Sequence, residues 1–145
     1  NSSLVSAQNR VRLYWTNIPN IEQPTDRGIV LSDILEGEVD SKYDAGKHLL
    51  EGYRGGDQLN PNYKSQANTI HRDKVATLSA GTHGYANGYV KGRHTYRKLT
   101  PREAERLQTV PDNYTAHVSN TQRYKMLGNG FTVEVIKHIL GNMEK

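Results

Sequence analysis

The sequence predicts an α+β chain in which short strands come first and helices follow. Residues 10–16 have the β-branched and aromatic content of a strand, and residues 75–78 repeat that character. Residues 100–145 instead carry three helix starts, each with a capping signal. The length of 145 residues suits one domain of modest size, and the 34% hydrophobic content predicts a thin core, a long polar segment, or a chain that needs a partner.

The first predicted strand belongs to a stretch, residues 8–15, in which hydrogen-bonding side chains recur at every second position. On a strand Gln8, Arg10 and Arg12 point to the same face, so one edge carries two positive charges. A surface strand with two solvated arginines is the simpler interpretation, since exposed arginine is common.

The composition of the middle of the chain predicts mostly loops. A short amphipathic helix is expected over residues 28–35, and a long polar loop follows to about residue 66, of the kind that serves binding or is disordered. Residues 79–90 combine three glycines with two tyrosines, a histidine and an asparagine, a composition that suits contact with a nucleic-acid groove. The alternative is a glycine-rich hairpin whose tyrosines cover an edge of the core.

Charge is unevenly distributed along this chain, whose net charge is +4. Residues 22–57 hold nine acidic and four basic side chains, a net of −5, whereas residues 64–98 hold seven basic and one acidic, a net of +6. A nucleic-acid-binding face produces such a split, although a solvated charged surface would look similar. The seven basic residues are Lys64, Arg72, Lys74, Lys91, Arg93, Arg97 and Lys98.

Several functions are excluded by composition. The chain has no cysteine, so it supplies no disulfide, no thiolate metal site and no cysteine nucleophile. His71, His83 and His94 lack metal-ligand spacing, so no metal is expected. No apolar run approaches the roughly 18 residues of a membrane span, so no membrane partner is expected. We therefore expect a soluble piece, and because its first residue is Asn1 rather than Met, we expect that it lacks its N-terminal part.

The first C-terminal helix has the strongest local signal. Thr100 as N-cap, Pro101 at the first helical position and Glu103 three residues after the cap form a capping box. The pair Val110-Pro111 predicts where this helix has stopped.

Two further helices are predicted around a tight turn. One begins near Ser119 or Asn120 and ends at residues 128–130, Gly-Asn-Gly, which tolerate positive φ. Thr132 is the expected N-cap of the last helix. The turn offers backbone N–H groups to a carboxylate or phosphate oxygen, although a structural helix-turn-helix corner is the simpler explanation. The apolar stripe of the last helix consists of Val133, Ile136, Ile139 and Leu140.

Three segments, taken in order, resemble the C-terminal half of DNA (cytosine-5)-methyltransferases. They are Gln8-Asn9-Arg10-Val11-Arg12-Leu13-Tyr14-Trp15, the run RKLTPREAERLQTVPDNY that begins at Arg97, and Arg123-Tyr124-Lys125-Met126-Leu127-Gly128-Asn129-Gly130. The run from Arg97 is the most specific, and the trio spans nearly the whole chain. The resemblance implies the C-terminal part of a Rossmann-like methyltransferase. Residues 1–36 would end the catalytic domain, 37–93 would form a target recognition domain, and 94–145 would return to the catalytic domain and cofactor pocket.

The resemblance also implies roles for the alternating polar side chains. In the family the second arginine of the Q-x-R-x-R strand reaches the flipped base. Arg12 would therefore hydrogen-bond cytosine and stabilise charge as the ring is attacked. Arg10 and Gln8 would support that catalytic site.

S-adenosyl-L-methionine is the implied cofactor, and Asn129, Gly130 and Phe131 would line part of its pocket. Gly130 and Phe131 depart from the commoner Ser and Val, which removes a hydroxyl and adds an aromatic wall. Double-stranded DNA is the implied partner, through base-edge or phosphate contacts. The candidate contact residues are Lys74, Thr77, Ser79, Thr82, His83, Tyr85, Asn87 and Arg93.

Three family elements are absent from the sequence: the Pro-Cys nucleophile, the Glu-Asn-Val segment and the F-x-G-x-G cofactor loop. Without the nucleophile the covalent adduct with cytosine cannot form. The resemblance therefore implies a portion that is inactive alone and needs an N-terminal catalytic half, in the same chain or in a separate subunit, in a bacterial or phage-type cytoplasmic enzyme. The alternatives are a stand-alone DNA-binding module, a non-catalytic subunit, or a structural fragment whose last helix exposes a lost interface.

Overall fold

The computed structural model describes residues 1–45, 70–80, 87–92 and 96–143. Five short strands and three α-helices lie within these ranges: β1 (Gln8–Asn9), β2 (Ile70–His71), β3 (Val75–Ala76), β4 (Tyr89–Lys91), β5 (Tyr96–Lys98), α1 (Pro101–Leu107), α2 (Asn120–Asn129) and α3 (Val133–Leu140). Short 3-10 helices occupy Ser2–Leu4, Leu31–Asp33 and Ser41–Tyr43.

The described strands form two small sheets. In the first, β1 pairs with β3 in parallel, with Gln8 opposite Val75. In the second the order is β2-β4-β5, where β2 runs parallel to β4 and β4 runs antiparallel to β5. The Ala45 N–H donates to the Tyr96 carbonyl at 2.8 Å, so the chain also adjoins the outer side of β5.

The strand predicted over residues 10–16 is not formed. Regular pairing stops at Asn9, and residues 10–16 are irregular, because β3 is only two residues long and offers no further ladder. The three apolar side chains that alternate along this segment are largely exposed, at 64% for Val11, 77% for Leu13 and 88% for Trp15.

The middle of the chain differs from expectation in two places. The helix predicted over residues 28–35 is only a 3-10 turn, Leu31–Asp33, whose Asp33 carboxylate accepts from the Val30 N–H at 2.8 Å. Part of the loop predicted over residues 79–90 is strand β4, in which Tyr89 and Val90 are fully buried because they pack between β2 and β5. Tyr89 is therefore an interior residue, whereas Tyr85 lies outside the described residues. Strand β5 had not been predicted.

The positions of the three helix starts are confirmed, and two of the three predicted caps form. The Thr100 hydroxyl accepts from the Glu103 N–H at 3.1 Å, and the Glu103 carboxylate accepts from the Thr100 N–H at 2.8 Å, which is a complete capping box. Helix α2 starts after Ser119 as expected. Thr132 precedes α3 but does not cap it, because its hydroxyl instead donates to the Gln108 side-chain oxygen at 2.9 Å.

Helices α1 and α2 pack on the strands around one small core, and α3 contributes no buried residue to it. Within the described residues, no helix is both long and apolar enough to cross a membrane. The buried core consists of Ala7, Leu31, Ile34, Val75, Leu78, Val90, Leu99, Ala104, Leu107, Tyr124 and Leu127.

Candidate functional site

Gln8 is fully buried where the first strand meets the end of α1. Its Nε2 donates to the Leu107 carbonyl and to the Gln108 Oε1, both at 3.3 Å. Its Oε1 accepts from the Leu78 N–H at 2.8 Å. Gln8 therefore joins three segments of the chain, and its role in supporting a catalytic site stays a prediction.

Arg10 lies beside Gln8 and is only 6% exposed. Its Nη1 donates to the Leu78 carbonyl at 3.0 Å, and its Nη2 donates to the carbonyls of Gly128 at 3.2 Å and Gly130 at 3.0 Å. Burial, with a smaller contribution from the nearby charge of Arg12, lowers the pKa of Arg10 from its ordinary value. The prediction of a solvated arginine is wrong here, because the guanidinium satisfies backbone carbonyls that burial cut off from water.

Arg12 differs from Gln8 and Arg10 because its side chain is exposed. Among the described residues, its guanidinium makes one hydrogen bond, from Nη1 to the adjacent Val11 carbonyl at 2.7 Å. A guanidinium has five N–H donors, so most of its donor capacity faces outward. Arg12 also lines a cavity of about 420 Å³ between residues 12–24 and helix α3.

The Gly128-Asn129-Gly130 turn lies close to the same stretch. The rings of Tyr14 and Phe131 are 6.4 Å apart between centroids, and Phe131 is 63% exposed. Asn129 is exposed and Gly130 is half-buried, so the predicted cofactor residues form an outward-facing end of α2.

The residues of this turn tolerate positive φ but do not adopt it. Gly128 is required for space instead, because a Cβ there would lie 2.3 Å from the Ser79 carbonyl carbon and oxygen. The first amides of α3 are paired within the protein, since the Val133 N–H donates to the Gln108 carbonyl and the Glu134 N–H donates to the Thr109 hydroxyl, both at 2.9 Å. This pairing agrees with the simpler explanation of the turn, a structural corner between two helices.

The structure turns Lys74 inward, unlike the DNA contact that the sequence predicted. Its ammonium donates to the carbonyls of Ser3 at 2.8 Å, Ser6 at 3.1 Å and Ile29. Three carbonyls match the three N–H donors of an ammonium group, so Lys74 holds backbone segments together.

The other predicted DNA contacts fall into two groups. Asn87 is buried, and its Oδ1 accepts from the Ser79 N–H at 2.8 Å, which makes it a support for the loop. The Thr77 hydroxyl donates to the Asn9 carbonyl at 3.2 Å, while Thr77 and Ser79 remain half-buried at the surface. The remaining candidates, Thr82, His83, Tyr85 and Arg93, lie outside the described residues.

A buried ion pair that the sequence did not predict holds the start of α1. The Glu103 carboxylate binds Arg97 through two hydrogen bonds of 2.8 and 2.6 Å and also accepts from the Glu36 N–H at 2.9 Å. Arg97 had been counted in the basic cluster, so that cluster is not one solvent-facing surface. The only sequence signal for Glu103 was its place in the capping box.

A second buried carboxylate, Glu105, had no sequence signal. It accepts from the Thr115 N–H at 2.8 Å, the Asn113 N–H at 2.7 Å and Arg123 Nη2 at 2.9 Å. Burial alone would raise the pKa of Glu105, but the hydrogen bonds from Thr115, Arg123 and Asn113 outweigh it and hold the pKa below its ordinary value. In the described part of the chain, no cluster of three or more His, Cys, Asp or Glu could hold a metal ion.

Comparison with known proteins identifies the family. Residues 5–145 match the family of C-5 cytosine-specific DNA methylases. The chain belongs to this family. It is 32% identical over 152 residues to the Type II methyltransferase M1.ScrFI of Lactococcus lactis subsp. cremoris, covering 94% of this chain and 39% of that protein. It is 31% identical over 153 residues to the Type II methyltransferase M.NlaX of Neisseria lactamica, covering 94% and 48%. The chain thus spans less than half the length of either relative.

A solved structure supports the α+β methyltransferase fold. The chain superposes on a mutant DNMT2 of Spodoptera frugiperda with a TM-score of 0.66 and 18% sequence identity, covering 99% of this chain and 55% of that one. The domain limits at residues 36 and 93 stay predictions.

Proposed function

We propose that this chain is the portion of a DNA (cytosine-5)-methyltransferase that supplies target recognition, an arginine at the flipped cytosine and one wall of the cofactor pocket. The observation that carries the proposal is the contrast within one stretch. Gln8 and Arg10 are buried and hydrogen-bonded within the protein, whereas Arg12 presents its guanidinium outward. A substrate base needs donors that the fold has not already used.

The chemistry assigned to Arg12 follows from its charge. When a nucleophile adds to the cytosine ring, electron density moves onto the heteroatoms of the base, and a guanidinium can donate N–H groups to them without losing its own proton. Interactions that strengthen as charge develops lower the barrier. Arg12 would therefore act on the transition state, while Gln8 and Arg10 keep its backbone in place.

The proposed cofactor wall is the outward end of α2. An exposed amide at Asn129 and an exposed aromatic ring at Phe131 offer one hydrogen-bonding group and one flat apolar surface, which suit a nucleoside with a polar tail. Bound S-adenosyl-L-methionine would supply the methyl group. The chain's own part is to orient that cofactor through Asn129, Gly130 and Phe131.

We further propose that protein outside these 145 residues provides the nucleophile, since this sequence has no cysteine. The exposed row of Val11, Leu13 and Trp15 supports this proposal, because large apolar side chains at alternate positions are the kind of surface that another protein segment covers. By itself the chain would be inactive.

Target recognition is assigned to residues 37–93, with Thr77 and Ser79 as the surface candidates among the described residues. Lys74 and Asn87 would shape this segment rather than touch DNA. Because its relatives M1.ScrFI and M.NlaX are Type II methyltransferases, we propose duplex DNA modification of the restriction-modification kind as the overall activity.

Methyl transfer to duplex DNA tests the proposal when the chain is combined with a family catalytic portion that carries the missing Pro-Cys loop. The combination should methylate cytosine, neither part alone should, and Arg12→Ala should lower kcat by about 100-fold. Arg27→Ala is the matched control, because Arg27 is also an exposed arginine and its guanidinium is already paired with Glu134. Equal activity with Arg12→Ala would refute the role of Arg12.

Failure of the combination to methylate, together with salt-dependent duplex binding by the chain alone, would instead favour the stand-alone DNA-binding module.

A further inference from the structure

Arg10 contacts two segments that the proposed function assigns to different ligands. We propose that Arg10 is a positioning residue that fixes the DNA-recognition loop, residues 78–80, against the cofactor turn, residues 128–131, so that binding at one is felt at the other. This inference rests on the proposed function for the identity of the two ligands. The mechanical link between the two segments stands on the geometry alone.

On the recognition side, the backbone of Leu78 is held at both of its polar groups. Its N–H donates to the Gln8 Oε1 at 2.8 Å, and its carbonyl accepts from Arg10 Nη1 at 3.0 Å. The next N–H, of Ser79, donates to the buried Asn87 Oδ1 at 2.8 Å. The loop therefore leaves strand β3 from a backbone position that depends on Arg10.

On the cofactor side, the same guanidinium serves the end of helix α2. The last carbonyls of a helix lack partners within the helix. Arg10 Nη2 donates to two of them in this region, those of Gly128 and Gly130, at 3.2 and 3.0 Å. A positive charge at a helix C-terminus is also favoured by the helix dipole. Arg10 thus caps α2 from a position 118 residues earlier in the chain.

The two segments also touch directly. A Cβ on Gly128 would come within 2.3 Å of Ser79 and 2.4 Å of the Ala80 nitrogen, so no space separates the loop from the helix end. A displacement of one segment must therefore move the other or break the Arg10 hydrogen bonds.

Arginine is needed because its flat fork reaches carbonyls in both segments at once. A lysine keeps the charge but concentrates its donors at one point, so it can serve one segment and not both. Arg10→Lys is therefore the substitution that separates bridging from charge. Arg106→Lys is the matched control, since the Arg106 fork also bridges two segments, the Ile34 carbonyl at 2.9 Å and Asp112, away from both proposed ligands.

The first experiment is amide hydrogen exchange on the full 145-residue chain without ligands. Arg10→Lys should accelerate exchange by about tenfold at Ser79 and at Gly130 together. Arg106→Lys should leave both amides within about twofold of the wild type. Acceleration at only one of the two segments, or at neither, would overturn the link. This result does not depend on methyl transfer.

The second experiment uses the combined methyltransferase. Arg10→Lys should raise KM for S-adenosylmethionine and KM for DNA by about tenfold each, and it should lower kcat less than Arg12→Ala does, because Arg10 acts on Arg12 only through the backbone. A rise in only one KM, or a loss confined to kcat, would overturn the coupling. If the wild-type combination shows no methylation at all, the proposed function fails, and the exchange experiment still decides whether Arg10 links the two segments.

Discussion

Residues 8–10 and residues 11–15 belong to one continuous stretch, yet their side chains have opposite environments. The first part buries a glutamine and an arginine among backbone carbonyls, whereas the second exposes valine, leucine and tryptophan. Polar groups inside and apolar groups outside is the reverse of the usual arrangement in a globular protein. The difference teaches that the polar side chains of residues 8–10 already have their partners within the chain. The apolar side chains of residues 11–15 do not, and they form a surface suited to contact with further protein.

The buried polar part extends beyond this stretch to Gln108, Glu103 and Glu105. Each is fully buried, and each has hydrogen-bond partners that match its donors or acceptors. A buried polar group without such partners would cost about 1–3 kcal/mol. Interior polar groups in this chain therefore specify one arrangement of segments, a task that its small apolar core would perform less selectively.

The largest expected effect comes from breaking the polar interior. Glu105→Gln should lower the free energy of unfolding by about 3 kcal/mol, because it removes the charge that Arg123 and two backbone N–H groups are arranged around. Urea unfolding at neutral pH measures the change. Glu134→Gln is the control, since its pairing with Arg27 lies at the surface and should be worth less than about 1 kcal/mol.

Gly128→Ala tests the same interior by steric means and should cost about 2–3 kcal/mol, because the added methyl meets backbone atoms that cannot rotate away. The comparison variant is Gly37→Ala, where the new Cβ has nothing within 4 Å. Thermal unfolding of both variants would reveal the difference. Equal melting temperatures would mean that the close approach of α2 to Ser79 is not maintained in solution.

The exposed part should respond in the opposite way. Trp15→Ser should change the stability of the chain by less than about 0.5 kcal/mol, since the exposed Trp15 side chain buries little surface within the chain. It should weaken binding to the catalytic portion by about 2 kcal/mol, as expected for an anchoring tryptophan. Calorimetric titration of one portion into the other provides the measurement, and unchanged affinity would show that this face is not the interface.

The smallest expected effect is the part of the pH dependence of stability that two buried groups contribute. Burial lowers the pKa of His71, so its folded form resists protonation, and stability should begin to fall as pH drops below about 6.5. The lowered pKa of Glu105 should add a second loss as pH falls below about 4.5. Unfolding free energies between pH 7 and pH 3.5 should show both phases. His71→Gln should remove the first and keep the second.

Local rules predicted the parts of the fold that local interactions build. The capping box of α1 needs only Thr100, Pro101 and Glu103, all within one turn, so four consecutive residues were enough to place the helix start. Strand content at residues 10–16 was a weaker guide, since a strand exists only where a partner continues the ladder, and β3 is too short to do so.

The buried roles could not be predicted, because their partners are distant in sequence. Arg10 binds carbonyls 68, 118 and 120 residues away, and backbone carbonyls carry no residue signature. Lys74 was assigned to DNA from the charge around it, whereas its actual partners are carbonyls near the start of the chain. The family resemblance singled out the stretch from Gln8 to Trp15, but it did not predict that Arg10 is buried and Arg12 exposed.

The enclosure of Lys74 should also make this lysine react more slowly than exposed lysines. An acylating reagent needs an unprotonated amine that it can approach, and three carbonyls surround this one, while the side chain of Lys137 is 75% exposed. Lysine labelling followed by mass spectrometry should therefore modify Lys137 early and Lys74 last. Such a ranking of reactivities would report, from a few micrograms of protein, whether the first thirty residues are docked on the rest.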